Sequence, residues 1–190
     1  MSNYPNETIK SIMERRSVRK FKPQQITEQE LDCILNCGLN APSARNTQNW
    51  HFTVIQNADL ISRMNEKTKE RIPPETAAFL KERHGGREDY SVFYNAPTLI
   101  IVSGEAGNEY TDFNCGYATQ NMCLAAQSLG VASIVIGMVR LLFRTPEADE
   151  YIKEFNIPNG YRPLYAVCFG YADMQPETPE RLEGKVNYIR

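Results

Sequence analysis

The spacing of apolar residues along the chain predicts six helices. An apolar position every three or four residues is typical of a helix that buries one face. The clearest start is at Thr27, because Thr27 and Glu30 match the S/T-x-x-E capping pattern, and Gly38 and Pro42 bring that helix to its end. The predicted helices cover residues 6–16, 27–39, 58–71, 75–83, 110–129 and 146–155.

The helix predicted over residues 110–129 carries apolar side chains on two faces. One stripe consists of Ala118, Met122, Ala125 and Leu129, and the second of Phe113, Tyr117 and Leu124. A helix that is apolar on two faces is typical of a buried position. The pattern therefore predicts a central, buried helix that Gly130 ends.

Four shorter segments are rich in β-branched and aromatic residues and predict strands over residues 51–56, 98–103, 131–136 and 164–169. Strands and helices do not alternate strictly, which favours an α+β fold over a doubly wound sheet. Residues 1–190 contain neither a linker nor a repeat, so we expect one domain. The tail, residues 173–190, contains Pro176 and Pro179, and we expect it to extend over another surface.

The composition argues against several classes of protein. The chain has 190 residues, of which 42% are hydrophobic and 23% charged, as in ordinary globular proteins. The longest nearly apolar stretch, residues 130–139, is too short for a transmembrane helix, and the N-terminus lacks a secretion signal, so a cytoplasmic location is expected. A net charge of −2 argues against a dedicated nucleic-acid-binding protein.

Cysteine and histidine content also limits the chemistry. Five cysteines without a CxxC pair make a disulfide framework or a zinc ribbon improbable. Cys33 and Cys37 share one helix face and are interpreted as half-buried thiols in preference to a redox pair. The two histidines, His51 and His84, lie in no catalytic or metal-binding motif, and we predict no metal site. If the protein is an enzyme, we expect a cofactor to supply the reactivity.

Three segments contain candidate binding residues. Arg15, Arg16, Ser17 and Arg19 offer guanidinium groups and a hydroxyl for a phosphate, although a basic run is also typical of a solvated surface. Pro42, Ser43, Asn46 and Gln48 could contact a polar ring, or form an ordinary loop. Ile136 and Gly137 end a predicted strand, where glycine permits close approach of a ligand to the backbone, or simply forms a turn.

Taken together and in this order, these motifs resemble the nitroreductase family of FMN-dependent oxidoreductases. The resemblance rests on Arg-Arg-Ser-x-Arg-x-Phe at 15–21, a capped helix, and Ala-Pro-Ser-x-x-Asn-x-Gln-x-Trp-x-Phe at 41–52. Residues 117–130 and 131–137 are similar to that family's central helix and the strand after it. The resemblance implies a mixed central β-sheet flanked by helices, and a homodimer whose tail packs on the partner subunit.

The resemblance also implies roles for individual residues. Arg15 and Ser17, with Arg16, would bind the phosphate and ribityl chain of FMN, and Arg19 would lie near the pyrimidine ring. A loop from the other subunit would reach the cofactor through Pro42, Ser43, Ala44 and Asn46. The backbone at Ile136 and Gly137 would face the flavin, with a weaker match at Asn114, and Arg181 would lie near the phosphate. Asn49 and Pro179 depart from the family pattern, which has Pro and often Lys at these positions.

The function that this resemblance implies is ping-pong hydride transfer from NADH or NADPH to nitroaromatic, quinone or similar acceptors. No catalytic side chain is predicted, because the flavin does the redox chemistry. We expect residues 57–95 to form a variable helical segment near the active site that affects the choice of acceptor. The alternatives are other flavin chemistry (dehalogenation, enoate reduction, azoline oxidation or flavin breakdown), flavin storage without turnover, and a small nucleic-acid-binding module.

Overall fold

A computed structural model describes residues 4–190, and it contains a four-stranded sheet with helices on both sides. The strands are β1 (Trp50–Ile55), β2 (Thr98–Glu105), β3 (Ala132–Ile136) and β4 (Tyr161–Gly170). The helices are α1 (Glu7–Glu14), α2 (Glu28–Leu39), α3 (Ala58–Lys69), α4 (Pro74–Arg83), α5 (Thr111–Ser128) and α6 (Ala148–Glu154). The six helices and four strands predicted from the sequence are all present, and no bound differs by more than three residues.

The strands lie in the order β1-β2-β4-β3, and each neighbouring pair is antiparallel. The four strands thus form an antiparallel sheet, and the parallel orientation occurs only in an isolated bridge that joins Ser17 to Ser133 at the outer edge of β3. This arrangement confirms the predicted α+β class. It also brings the segment after α1 to the sheet edge formed by β3.

Two hydrophobic cores cover the two faces of the sheet. Ile100 and Val102 of β2 belong to one core and pack with α2 and α5, whereas Leu99 and Ile101 belong to the other. This alternation follows from the two-residue period of a strand, and it explains why residues 98–103 read as a continuous apolar run. Both cores share one sheet, and the assignment of residues 1–190 to one domain stays a prediction.

The burial of helix α5 differs from the sequence prediction on one of its two apolar faces. Its first stripe is buried at Ala118 and Met122, both 0% exposed, where it packs against α2. The second stripe faces outward in the single chain, with Phe113 64% and Tyr117 52% exposed. The prediction that both faces are buried is therefore wrong for one chain, since the described residues leave this face of α5 uncovered.

Two further details differ from the sequence prediction. A 3-10 helix over Gly137–Arg144 follows β3 directly and was not predicted. Strand β4 begins at Tyr161 and includes Pro163, which lies at a shift of register opposite Ser103. Proline lacks the backbone N–H that a regular ladder needs, so the irregularity lets β4 start three residues before the predicted position.

The remaining expectations concern cysteines, membranes and the tail. All five cysteines are free thiols; Cys33 is exposed and Cys37 partly buried. Burial, and after it the neighbouring Cys33, raises the pKa of the Cys37 thiol.

Within residues 4–190, no helix is both long and apolar enough to cross a bilayer. The tail is extended, and it exposes apolar side chains: Leu182, Val186, Tyr188 and Ile189.

Candidate functional site

Three segments that lie far apart in the sequence form the walls of a cleft of about 1320 Å³. They are the basic segment (residues 15–20), the end of α4 with the loop after it (residues 83–95), and the first part of the tail (residues 174–181). Five predicted site residues line this cleft: Arg15, Arg16, Ser17, Arg19 and Arg181. The structure therefore brings the N-terminal candidates and Arg181 to one place.

Backbone contacts fix the position of the basic segment. Helix α1 ends at Glu14, after which the chain becomes extended and the Val18 N–H donates to the Ser133 carbonyl at 3.1 Å. Val18 is buried at 6% exposure. Because neighbouring side chains of an extended segment point to opposite sides, Ser17 and Arg19 face away from the core and toward the cleft.

Arg16 is bound within its own chain. Its guanidinium donates to the Met13 carbonyl at 2.7 Å, to the Arg15 carbonyl at 2.8 Å and to Thr178 Oγ1 at 3.2 Å. These bonds cap the free carbonyls at the end of α1 and connect that end to the tail. The structure thus gives Arg16 a structural role, and its contact with the cofactor stays a prediction.

The cleft contains positive charge that carboxylates leave unpaired. None of the ion pairs between described residues involves Arg15, Arg16, Arg19 or Arg181. Guanidinium groups bind phosphate with two parallel, charge-assisted hydrogen bonds. This set of donors therefore suits a phosphate group, which is the fit that FMN requires.

The polar loop, residues 42–48, lies outside this cleft. It contains a 3-10 turn over Ala44–Asn46, and Arg45, Asn46 and Gln48 have positive φ angles of 55°, 55° and 46°. Non-glycine residues in this conformation store strain, and such residues often lie at functional sites. Pro42 and Asn46 are exposed, whereas Ser43 Oγ accepts the Gln48 N–H at 3.0 Å.

Asn114 of α5 holds the polar loop in place. Its Oδ1 accepts the Ala44 N–H at 3.0 Å, and its Nδ2 donates to Asn49 Oδ1 at 2.8 Å and to Thr47 Oγ1 at 3.3 Å. The residue is 1% exposed, and these bonds use three of the four that a primary amide can make. Asn114 is therefore a positioning residue for the loop, and a direct contact with flavin stays a prediction.

Ile136 and Gly137 lie where β3 meets the 3-10 helix. The Ile136 side chain is buried at 4% exposure, so only its backbone is available to a ligand. Gly137 is exposed, and a Cβ placed on it would meet Arg140 Nη2 at 3.7 Å and nothing closer. Packing within the chain therefore does not require glycine here. Neither Ile136 nor Gly137 lines the cleft, so contact of this backbone with the flavin stays a prediction.

These local arrangements agree with the comparison of the whole chain. The model of the Nitroreductase family matches residues 12–171. The chain belongs to the nitroreductase family. Among solved structures, a nitroreductase with bound FMN from Desulfitobacterium hafniense is 29% identical, with a TM-score of 0.90 over 98% of this chain and 100% of that one. Another, from Bacteroides fragilis, also with bound FMN, is 31% identical with a TM-score of 0.84 over 97% and 100%.

Curated relatives of this nitroreductase-family chain have several activities. A putative NADH dehydrogenase/NAD(P)H nitroreductase from Methanothermobacter thermautotrophicus is 29% identical over 90% of this chain and 81% of that protein. An NADPH-flavin oxidoreductase from Vibrio harveyi is 27% identical over 95% and 72%. An iodotyrosine deiodinase from Thermotoga neapolitana is 26% identical over 92% and 93%. The family therefore includes relatives with different electron acceptors.

Sequence reasoning assigned no individual site residue to one wall of the cleft. Arg83, His84, Arg87, Tyr90 and Tyr94 line it, all from the segment expected to be variable. The pair of arginines around Gly85 and Gly86 was the available signal. A charged helix end followed by glycines is common on protein surfaces, so this signal could not be separated from a solvated loop.

Proposed function

We propose that this member of the nitroreductase family is an FMN-dependent oxidoreductase that uses NADH or NADPH to reduce nitroaromatic, quinone or similar acceptors. The observation that carries the proposal is the convergence of Arg15, Ser17, Arg19 and Arg181 on one cleft without a carboxylate partner among the described residues. The FMN-bound structures that this chain resembles support the choice of cofactor.

Different residues of the chain would bind different parts of FMN. Arg15 and Arg181 would supply charge for the phosphate and Ser17 a hydroxyl, whereas Arg19 would lie near the pyrimidine ring, where its charge stabilises the reduced, anionic flavin. Arg16 holds the end of α1 and the tail together, so the guanidinium groups beside it keep their positions. The exposed backbone at Gly137, which lies outside the cleft, would face the isoalloxazine ring.

The chemistry needs little from the protein's own side chains. FMN, when bound, supplies hydride acceptance from the nicotinamide and electron donation to the acceptor. The chain binds and orients both reactants, and we expect ping-pong kinetics because one pocket serves donor and acceptor in turn. Neither a general acid nor a nucleophile is required, so the residues assigned here bind and position.

We further propose that the active unit is a homodimer. The polar loop does not line the cleft of its own chain, so it can complete a site only in a second copy. Phe113 and Tyr117 leave an apolar face exposed on α5, and the tail exposes Leu182, Tyr188 and Ile189. Strand β1 pairs only with β2 among the described residues, so its outer edge is open to an added strand.

The names of the relatives indicate more than one class of electron acceptor. Relatives include a nitroreductase, a flavin oxidoreductase and a deiodinase, so reductive dehalogenation is the second candidate. The wall formed by residues 83–95 is where we expect acceptor selection to occur. A turnover screen of nitroaromatics, quinones, free flavin and an iodinated tyrosine, each with NADH and with NADPH, distinguishes these activities.

The purified protein tests the central proposal. We expect a yellow protein that releases FMN on denaturation, has the mass of a dimer, and loses its flavin absorbance within seconds of adding NADPH or NADH under argon. A colourless protein that takes up no FMN from an excess would overturn the proposal. A yellow protein that neither donor bleaches would instead be a flavin-storage protein.

A further inference from the structure

The end of α4 places two arginines on a wall of the cleft that the proposed FMN contacts do not use. Arg83 lies in the last turn of α4, and Arg87 follows four residues later. Both side chains are exposed, and both line the cleft that contains Arg15, Arg19 and Arg181. The cleft thus has basic residues on separate walls.

His84 anchors this second pair. Its Nδ1 lies 2.7 Å from the Leu80 carbonyl, and its ring stacks on Tyr94 with 5.0 Å between centroids and 9° between planes. Gly85 and Gly86 then turn the chain with φ angles of 71° and 79°. The two arginines are therefore presented by a fixed helix end and a defined turn.

The charges of both arginines are available to a ligand. The Arg83 guanidinium lies 4.6 Å from the centre of the Phe79 ring and joins no ion pair between described residues. Arg87 pairs with Asp89, its Nε donating to Oδ1 at 2.8 Å. Both members of this pair are about 70% exposed, at 70% and 69%. An exposed pair contributes little free energy, so a phosphate can compete for the guanidinium.

The size of the cleft leaves room for a second ligand. Its volume of about 1320 Å³ exceeds the range of roughly 300–1,000 Å³ that is typical of a pocket for one small molecule. The phosphate of FMN carries two negative charges at most. Three carboxylates line the cleft (Asp89, Glu177 and Glu180), against seven Lys and Arg residues: Arg15, Arg16, Arg19, Lys20, Arg83, Arg87 and Arg181. Positive charge therefore remains for a second phosphorylated molecule.

We propose that Arg83 and Arg87 bind the phosphate groups of the NADH or NADPH donor. This inference rests on the proposed function, which supplies a dinucleotide as the second ligand. Its diphosphate is the group that arginine side chains recognise with paired hydrogen bonds, and NADPH adds a further phosphate. The interaction orients the donor without taking part in hydride transfer.

The test uses the FMN-bound protein and ADP-ribose, a donor fragment that carries the diphosphate and has no nicotinamide to react. We expect the double variant Arg83→Ala/Arg87→Ala to raise the dissociation constant of ADP-ribose, measured by calorimetry, about tenfold or more. The KM for the donor rises similarly, while kcat and the affinity for FMN stay unchanged. The Arg83→Lys/Arg87→Lys variant keeps much of the binding because it keeps the charge.

Arg71→Ala is the matched control, since Arg71 is an exposed arginine just beyond the end of α3 that does not line the cleft. An unchanged dissociation constant for ADP-ribose in a yellow, active double variant would overturn this inference and leave the proposed function intact. Weaker FMN binding in that variant would assign the pair to FMN and also overturn the inference. A colourless wild-type protein would overturn the proposed function itself.

Discussion

Individual arginines of the basic segment have different tasks despite their adjacency. Arg16 donates to two carbonyls and to Thr178, whereas Arg15 joins no ion pair between described residues and lines the cleft. The run of basic residues in the sequence could not separate these tasks, because the distinction depends on where α1 ends and on where the tail lies. Substitutions at the two positions should separate them.

Arg15→Ala should weaken FMN binding about tenfold or more and leave the melting temperature of the FMN-free protein nearly unchanged, because one charge-assisted contact is lost. Arg16→Ala should lower that melting temperature as well, since three hydrogen bonds of the fold disappear. Fluorescence titration with FMN and calorimetry of the FMN-free protein measure both. If Arg15→Ala and Arg16→Ala lowered the melting temperature equally, the two arginines would not have the different roles assigned to them.

Asn114 offers a second test at this scale. Asn114→Ala leaves the Ala44 N–H and the Asn49 Oδ1 without the partner that Asn114 provides, which should cost about 1–3 kcal/mol of unfolding free energy. FMN affinity should fall too if the polar loop contributes to the site. Urea unfolding provides the measurement. The control is Asn121→Ala on the same helix, where one bond to the Cys37 carbonyl is lost and a smaller cost is expected.

At the scale of elements, local signals in the sequence predicted most of the architecture. The start of α2 was placed correctly because Thr27 and Glu30 form the capping box: Glu30 N–H donates to Thr27 Oγ1 at 3.2 Å, and Thr27 N–H to Glu30 Oε2 at 2.7 Å. The 3-10 helix over Gly137–Arg144 was missed because it follows β3 without a break, and a segment of eight residues is too short for its period to be recognised beside a strand. The start of β4 was predicted too late because Pro163 argues against a regular strand, and the sequence does not show the register shift that accommodates this proline.

The capping box should also make the stability of α2 depend on pH. Hydrogen bonds from the Thr27 backbone and the Tyr171 hydroxyl lower the pKa of Glu30 below its ordinary value of 4.5. A carboxyl group with a lowered pKa in the folded state adds stability above that value, and this stability is lost as the pH falls through the folded pKa.

The Glu30→Gln variant should therefore lose less stability than the wild type between about pH 5 and pH 3. Chemical unfolding at several pH values measures how the unfolding free energy of the variant and of the wild type changes with pH. Glu28→Gln, in the first turn of the same helix, is the control and should keep the wild-type slope. Parallel slopes for Glu30→Gln and wild type would show that Glu30 does not contribute in this way.

At the scale of the whole molecule, the sequence predicted the family and the kinds of residue in the site, but not how they assemble. The basic segment, the end of α4 and the tail meet only through the fold, so no local pattern could place Arg83 and Arg15 in the same cleft. The two stripes of α5 were recognised, but a sequence cannot show whether an apolar stripe is covered by its own chain or by another. The exposure of Phe113 shows that the described residues of its own chain leave this stripe uncovered.

Phe113→Glu should prevent dimer formation, because it places a charge on the exposed apolar face of α5. FMN should be lost with the dimer if the polar loop of the second copy completes the site. Sedimentation velocity and the flavin absorbance of the same sample measure both effects. Phe79→Glu on α4, where the wild-type side chain is 50% exposed, is the control and should remain dimeric.

The left-handed residues of the polar loop also limit how this protein could be engineered. Arg45, Asn46 and Gln48 occupy a backbone conformation that β-branched residues avoid and that glycine accepts readily. A library that randomises these positions will consequently lose many members to backbone incompatibility before any effect on specificity can be scored. Exposed positions in helical conformation that do not line the cleft, such as Glu82 of α4, tolerate most side chains and suit such a library better.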